Sequence, residues 1–191
     1  RKDGDFARNL NTKLQETDKM TWFDQESIST GVDFEKEIYK GIESSDNFLF
    51  VISPDSIESE YCEREVEYAE SLNKRLITIL CRKTDPLTMP EALRVINWID
   101  FENNKFDAIF HELIQAIDLD RGHSHQHTIM QQRAMEWNEN QRIEDFLLNK
   151  TAYINSQKWL DDALKTNKKP IPTDLQKDYI GDSQNAIALA E

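Results

Sequence analysis

Two short runs, Phe48-Leu-Phe-Val-Ile52 and Leu76-Ile-Thr-Ile-Leu80, constrain this chain more than any other feature. A strand with one face in water alternates apolar and polar residues. A run that is apolar almost throughout belongs to a strand covered on both faces, as in a parallel sheet with helices above and below. Met20-Thr-Trp-Phe23 and Val95-Ile-Asn-Trp-Ile99 read as two further short strands. Helical spacing lies between and around them. Phe6, Leu10 and Leu14 predict a helix over 3–17, and Phe34, Ile38, Gly41 and Ile42 one over 32–45. Ser59 is the N-cap of a helix over 59–73, and Phe106, Phe110, Leu113, Ile114 and Ile117 close the unit. Alternating strands and helices imply right-handed crossovers, and so an α/β fold with a flavodoxin-like, doubly wound parallel sheet. That architecture, in strand order 2-1-3-4-5, has five strands where four are legible. The missing one, central in the sheet, is expected upstream of Arg1.

Beyond residue 118 the pattern changes. Residues 119–127 are polar, contain Gly122, and read as a linker. Three helical stretches follow, at about 128–149, 151–165 and 172–190, with Trp137, Phe146, Leu147, Trp159 and Leu164 as core candidates. Thr173 and Gln176, just after Pro172, form a capping box for the last of them. The expected organisation is an α/β unit over 1–118, the linker, and an all-helical appendage over 128–191.

Charge and composition narrow the function. The net charge is −13 with no dense basic patch, which disfavours nucleic acids and anionic membrane surfaces. No run approaches a membrane span. Two cysteines, Cys62 and Cys81, are too few for a disulfide scaffold and fit a reducing, cytoplasmic setting. Five glycines form no phosphate-cradling loop, so neither a P-loop nor a Rossmann cofactor site is expected.

The helix after Phe48–Ile52 carries the most informative pattern. Cys62, Val66, Ala69 and Leu72 share one stripe, and Glu65 falls in or beside it, while Glu63, Glu67 and Glu70 point more freely to water. A carboxylate drawn toward a sheet is costly unless paired, hydrogen-bonded or used, and this one follows the carboxyl end of a parallel strand, where open α/β sheets bind ligands. On pattern alone, Glu65 also reads as an edge residue that simply reaches solvent.

Several segments in order resemble TIR (Toll/interleukin-1 receptor) domains across residues 1–118. Arg1-Lys-Asp with Phe6-Ala7 resembles the end of their opening segment. Trp22-Phe-Asp-Gln-Glu-Ser-Ile-Ser-Thr-Gly31 and Phe34 resemble the second strand and its loop. Asn47 to Pro54 followed by Ser59-Glu-Tyr-Cys-Glu-Arg-Glu65 resembles the third strand and the Trp-Cys-x-x-Glu helix. Pro90-Glu-Ala-Leu93 and Trp98-Ile-Asp-Phe101 resemble the fourth-helix and last-strand region. The resemblance is to the bacterial, NAD-cleaving type, and it too puts a strand just before Arg1. The helical tail resembles segments that join bacterial TIR domains to a sensor or effector module.

In enzymes of that family the Glu of Trp-Cys-x-x-Glu splits NAD, and Glu65 holds that position; Tyr61 stands where the Trp would be. The resemblance implies NAD as substrate rather than cofactor, with Arg1 toward its phosphates and Asp24, Ser29 and Phe34 on a gating loop. Ser53 is placed near the site. From the residues alone, Asp24 reads equally as a turn former, Phe34 as a core anchor of its helix, and Ser53 as a strand terminator. The loop Arg82–Met89 lacks the aromatic residue of catalytic members. Self-assembly between TIR domains is the expected mode of activation, and a non-catalytic scaffold acting by such assembly is the alternative.

Three further patterns invite chemistry. Asp55 follows a strand as a receiver-type phosphoacceptor does, but the last strand ends without the lysine of that class. Cys62 and His111 form a nominal nucleophile and base, although Glu63 and Glu65 oppose a thiolate. His123-Ser-His-Gln-His127 offers imidazoles to a metal with no cysteine partner, and reads better as polar linker.

Overall fold

The computed structural model describes residues 3–23 and 33–190. A three-stranded parallel sheet organises the first part, in order β1 (Asn47–Ile52), β2 (Arg75–Leu80), β3 (Ile99–Asp100). The register pairs Asn47 with Arg75 through Ile52 with Leu80, and then Ile79 with Ile99. Helices cover both faces, as the apolar runs require. On one side α1 (Gly4–Glu16) and the helix Phe106–Asp118 bury Leu10, Leu14, Ile109 and Leu113 against Ile77, Ile79 and Ile99. On the other, α2 (Phe34–Ser44) and the helix Glu60–Ser71 bury Ile38, Ile42, Ala69 and Leu72. In chain order the helices after α2 are α3 (Pro54–Ile57), α4 (Glu60–Ser71), α5 (Glu91–Arg94) and α6 (Phe106–Asp118), the last on the α1 side.

Local chemistry sets the boundaries. Ser53 ends β1 and opens α3 with a reciprocal capping box: its hydroxyl accepts from Ser56 N at 3.2 Å while its own N–H donates to the Ser56 hydroxyl at 3.0 Å. Ser59 caps α4 as expected, accepting from Cys62 N at 3.4 Å.

Two expected strands differ. The strand read at 95–99 reduces to Ile99–Asp100, since Pro90 opens α5 and the Trp98 indole folds back to donate to Leu93 O at 2.6 Å. Val95 is left 75% exposed, because apolar residues here close a helix rather than join a ladder. Residues 20–23 form no ladder with any described strand. Trp22 instead packs against the α2–α4 cluster, over Gly41 of α2.

The helical part is α7 (Arg121–Glu139), α8 (Lys150–Thr166) and α9 (Asp174–Ala190). Its core is Met130, Ala134, Trp137, Leu148, Leu160, Tyr179 and Ile180, with Phe146, Leu147 and Trp159 packed at its rim. Leu164, expected inside, is 54% exposed on the far side of α8. The Thr173–Gln176 box is formed in both directions, at 2.8 and 3.2 Å. The stretch read as a linker is helical from Arg121, and His123 and His127 are buried rather than solvated. Their polarity is satisfied internally: His123 lies 2.8 Å from Pro170 O and His127 3.2 Å from Ile171 O. Polar composition signals a loop only when the polar groups keep their water.

The two parts share a seam. Met135 of α7 packs into the α2–α4 cluster. Lys74, 6% exposed, donates to Glu43 O at 2.9 Å, Ser45 O at 2.8 Å and Thr128 Oγ1 at 3.3 Å. The carbonyls at the end of α2 carry the negative pole of that helix, so an ammonium suits them. Burial nevertheless pulls the Lys74 amine down to about 8, against the charges of Asp46 and Glu43.

Candidate functional site

Helix α4 presents its residues as the periodicity predicted: Val66, Ala69 and Leu72 are buried, Glu63, Glu67 and Glu70 exposed, and Glu65 half-buried between them. Glu65 lies on the side of α4 that borders α2. The two helices run side by side, with Arg64 3.7 Å from Glu35 and the Tyr39 and Tyr68 rings 4.3 Å apart at 33°. The Tyr39 hydroxyl donates to Glu35 Oε1 at 3.0 Å. Its phenol is held above the usual range by burial first, then by the bond to Glu35 and the charges of Glu35 and Glu65. The Tyr68 hydroxyl donates to Glu43, and its phenol is pushed further up, again by burial first. Glu65 therefore sits on an acidic, aromatic-lined face between α2 and α4, midway along both helices.

The other residues singled out in the sequence separate. Tyr61, one turn before Glu65, is 64% exposed with the Arg64 guanidinium 5.7 Å from its ring centroid. Phe34 is 43% exposed at the first position of α2, one turn ahead of the buried Ile38, and joins no hydrophobic cluster. It is not a core anchor. Arg1, Asp24 and Ser29 lie outside the described residues.

Ser53 is fully buried, and its hydroxyl donates to Asp3 Oδ2 at 2.6 Å. Asp3 also accepts from Arg82, at 2.8 Å from Nε and 3.2 Å from a terminal nitrogen, and Arg82 bonds Asp55 as well. Burial would raise the Asp3 carboxyl, but the bonds from Arg82 and Ser53 outweigh it and hold it below its usual range. This network ties the start of α1 to the carboxyl ends of β1 and β2. Arg82 and Asp3 were missed as site candidates. The available signal was position alone, because Arg82 follows β2 where such sheets bind ligands.

Asp55 is engaged by Arg82 rather than left open for phosphoryl transfer. Cys62 packs against Phe50, Ile52 and Val66, whereas His111 is exposed on α6, which backs the opposite face. Among the described residues no group of His, Cys, Asp or Glu is placed to hold a metal. A cavity of about 340 Å³ lies in the helical part, lined by Arg142, Glu144, Leu147, Asp182, Asn185 and Leu189, and a space of about 10 Å³ lies between Cys62 and Leu93. Neither is lined by Glu65, which stands on an open face.

Residues 1–114 match the family model of the TIR domain. The chain belongs to the TIR-domain family. Among solved structures, the TIR domain of the Toll-related receptor TRR-2 from Hydra magnipapillata superposes with a TM-score of 0.54 at 23% identity, covering 61% of this chain and 90% of that one. At that identity the likeness establishes the shared fold. Comparison with curated proteins gave no match. TIR domains include NAD-cleaving enzymes and non-enzymatic adaptors, and they commonly assemble with their own kind. No described helix is long and apolar enough to cross a membrane.

Proposed function

We propose that this TIR protein is an NAD glycohydrolase with Glu65 as its catalytic residue. The observation that carries the reading is the half-buried placement of Glu65 on the α2-facing side of α4, at the position of the Glu in the family's Trp-Cys-x-x-Glu pattern. Nicotinamide leaves NAD as a neutral molecule and needs no general acid. The ribose left behind is oxocarbenium-like, and a carboxylate beside it stabilises the developing charge, as in glycoside cleavage. Water capture gives ADP-ribose; capture within the same molecule gives a cyclic product. We take assembly with further copies as the activating event, in a cytoplasmic protein whose helical part connects to a sensor or effector module, and bacterial defence or signalling as the setting.

The test incubates concentrated protein and its Glu65→Gln variant with NAD and resolves the nucleotides by chromatography. Release of nicotinamide by the wild type and its loss in the variant, at unchanged thermal stability, supports the assignment. Release that persists in Glu65→Gln rejects it. The second reading, a non-catalytic assembly module, draws support from the absence of an aromatic residue in the loop Arg82–Met89. It predicts concentration-dependent self-association with no nicotinamide release.

A further inference from the structure

Among the described helices, α4 is the most acidic, with five glutamates against Arg64 alone. Helix α8 is the only one of net positive charge, with Lys150, Lys158 and Lys165 against Asp161 and Asp162. Both carry charge on the side turned away from the core. On α4, Val66 and Ala69 point inward, and Glu60, Glu63, Glu67 and Glu70 follow one another at helical spacing along the exposed side. On α8, Ser156, Leu160 and Ala163 point inward, and Thr151, Ile154, Lys158, Asp161 and Lys165 line the exposed side. Arg64 reaches Glu60 at 4.0 Å, and Asp161 accepts from Gln157 at 2.7 Å. The side chains of Glu63, Glu67, Glu70, Lys158 and Lys165 make no ion pair or hydrogen bond among the described residues. The two charged faces therefore do not meet within one molecule.

We propose that the outer face of α8 docks on the outer face of α4 of a second copy of this chain. The proposal rests on the self-assembly part of the functional reading, names the surfaces that carry it, and does not involve the chemistry of Glu65. Spacing supports it. Lys158 and Lys165 are two helical turns apart, and so are Glu63 and Glu70, so both sets repeat at about 10.5 Å along their axes. Helices laid side by side then pair both lysines with glutamates at once, and the contact covers the exposed Ile154 on the same stripe. A second copy is the partner because the chain itself supplies both complementary faces. Copies of net charge −13 repel at long range, so a local match of opposite charge is what brings two of them together in register. The two faces differ, which makes the contact heterologous: each copy keeps an open α4 face at one end and an open α8 face at the other, and addition continues unless a ring closes.

Sedimentation velocity of the full chain over a concentration series reads the association. The wild type is expected to associate as concentration rises. The double variants Glu63→Lys with Glu67→Lys and Lys158→Glu with Lys165→Glu are each expected to weaken association about tenfold or more, since like charges then face each other. The first of these is decisive: it lowers the net negative charge, and general repulsion alone would make it associate more strongly. An equimolar mixture of the two variants should regain association, because the two reversed faces complement each other. Lys158→Gln with Lys165→Gln removes charge without reversing it and should weaken association about three- to tenfold, which keeps the test open if a reversal variant does not fold. Association of wild-type strength in Glu63→Lys with Glu67→Lys, or a mixture no stronger than its components, overturns the proposal and leaves self-assembly to another surface. A wild type that stays monomeric throughout overturns the proposal and the self-assembly reading together.

Discussion

The indole Nε1 of Trp159 donates to Nδ1 of His123 across 2.9 Å, and this bond decides the tautomer of a buried imidazole. With Nδ1 accepting, the His123 proton resides on Nε2, which donates to the Pro170 carbonyl at 2.8 Å. The pair thus joins α8 and α7 to the segment that leads into α9. The Trp159 and His123 rings also stack, with centroids 5.5 Å apart.

Trp159→Phe keeps an aromatic ring but removes the donor, leaving His123 Nδ1 buried and unpaired. The expected loss is about 1–3 kcal/mol of stability. Urea unfolding checks this, and an unchanged midpoint would show that water replaces the indole without cost.

His127 makes the fold sensitive to acid. Burial first, and then the charge of Lys74, push its imidazole down to about 4 from an ordinary 6.5. The unfolded chain takes up this proton near pH 6.5 and the folded chain only near 4. The stabilising contribution is therefore complete above pH 6.5 and is lost as pH falls toward 4, at a slope of up to about 1.4 kcal/mol per pH unit. Unfolding midpoints at pH 7.5 and 5 should diverge more in the wild type than in His127→Gln, where the titrating group is gone.

Lys74 acts in the alkaline range with the same sign. Its folded amine, at about 8, releases its proton before the unfolded one near 10.5, so its contribution to stability grows as pH rises through that window. Lys74→Met removes this rise. At pH 7 the same change strands the Glu43 and Ser45 carbonyls, and the expected cost is about 1–3 kcal/mol. Thermal melts at pH 7 and 9.5 test both parts.

Gly41 makes room for Trp22. A Cβ at position 41 would stand 2.5 Å from Cδ2 of the indole, closer than atoms can approach. Gly41→Ala gains helix propensity of about 1 kcal/mol, but overpacking costs about 1–3 kcal/mol, so a net loss with a shifted tryptophan emission is expected. A stabilised variant with unchanged emission would show that Trp22 yields freely.

Much of the fold was legible because burial imposes periodicity. The runs at 48–52 and 76–80 announced strands covered on both faces, and Val66, Ala69 and Leu72 announced the inner side of α4. The half-burial of Glu65 followed from the same spacing, since each residue of a helix turns a fixed angle from the last. Short elements were less legible. Val95 to Trp98 has the composition of a strand, yet Pro90 and the Trp98–Leu93 hydrogen bond turn it into the close of α5.

The sequence by itself determined the α/β class, the strands β1 and β2, the caps at Ser59 and Thr173, and the place of Glu65 on its helix. All of these depend on neighbours within a few residues. Only the tertiary structure decided that His123 and His127 are core residues and that Arg82 closes on Asp3 and Asp55. Those outcomes depend on pairs separated by as many as 79 residues. Such pairs form when packing brings the elements together, and buried polar groups must then find partners wherever the fold supplies them.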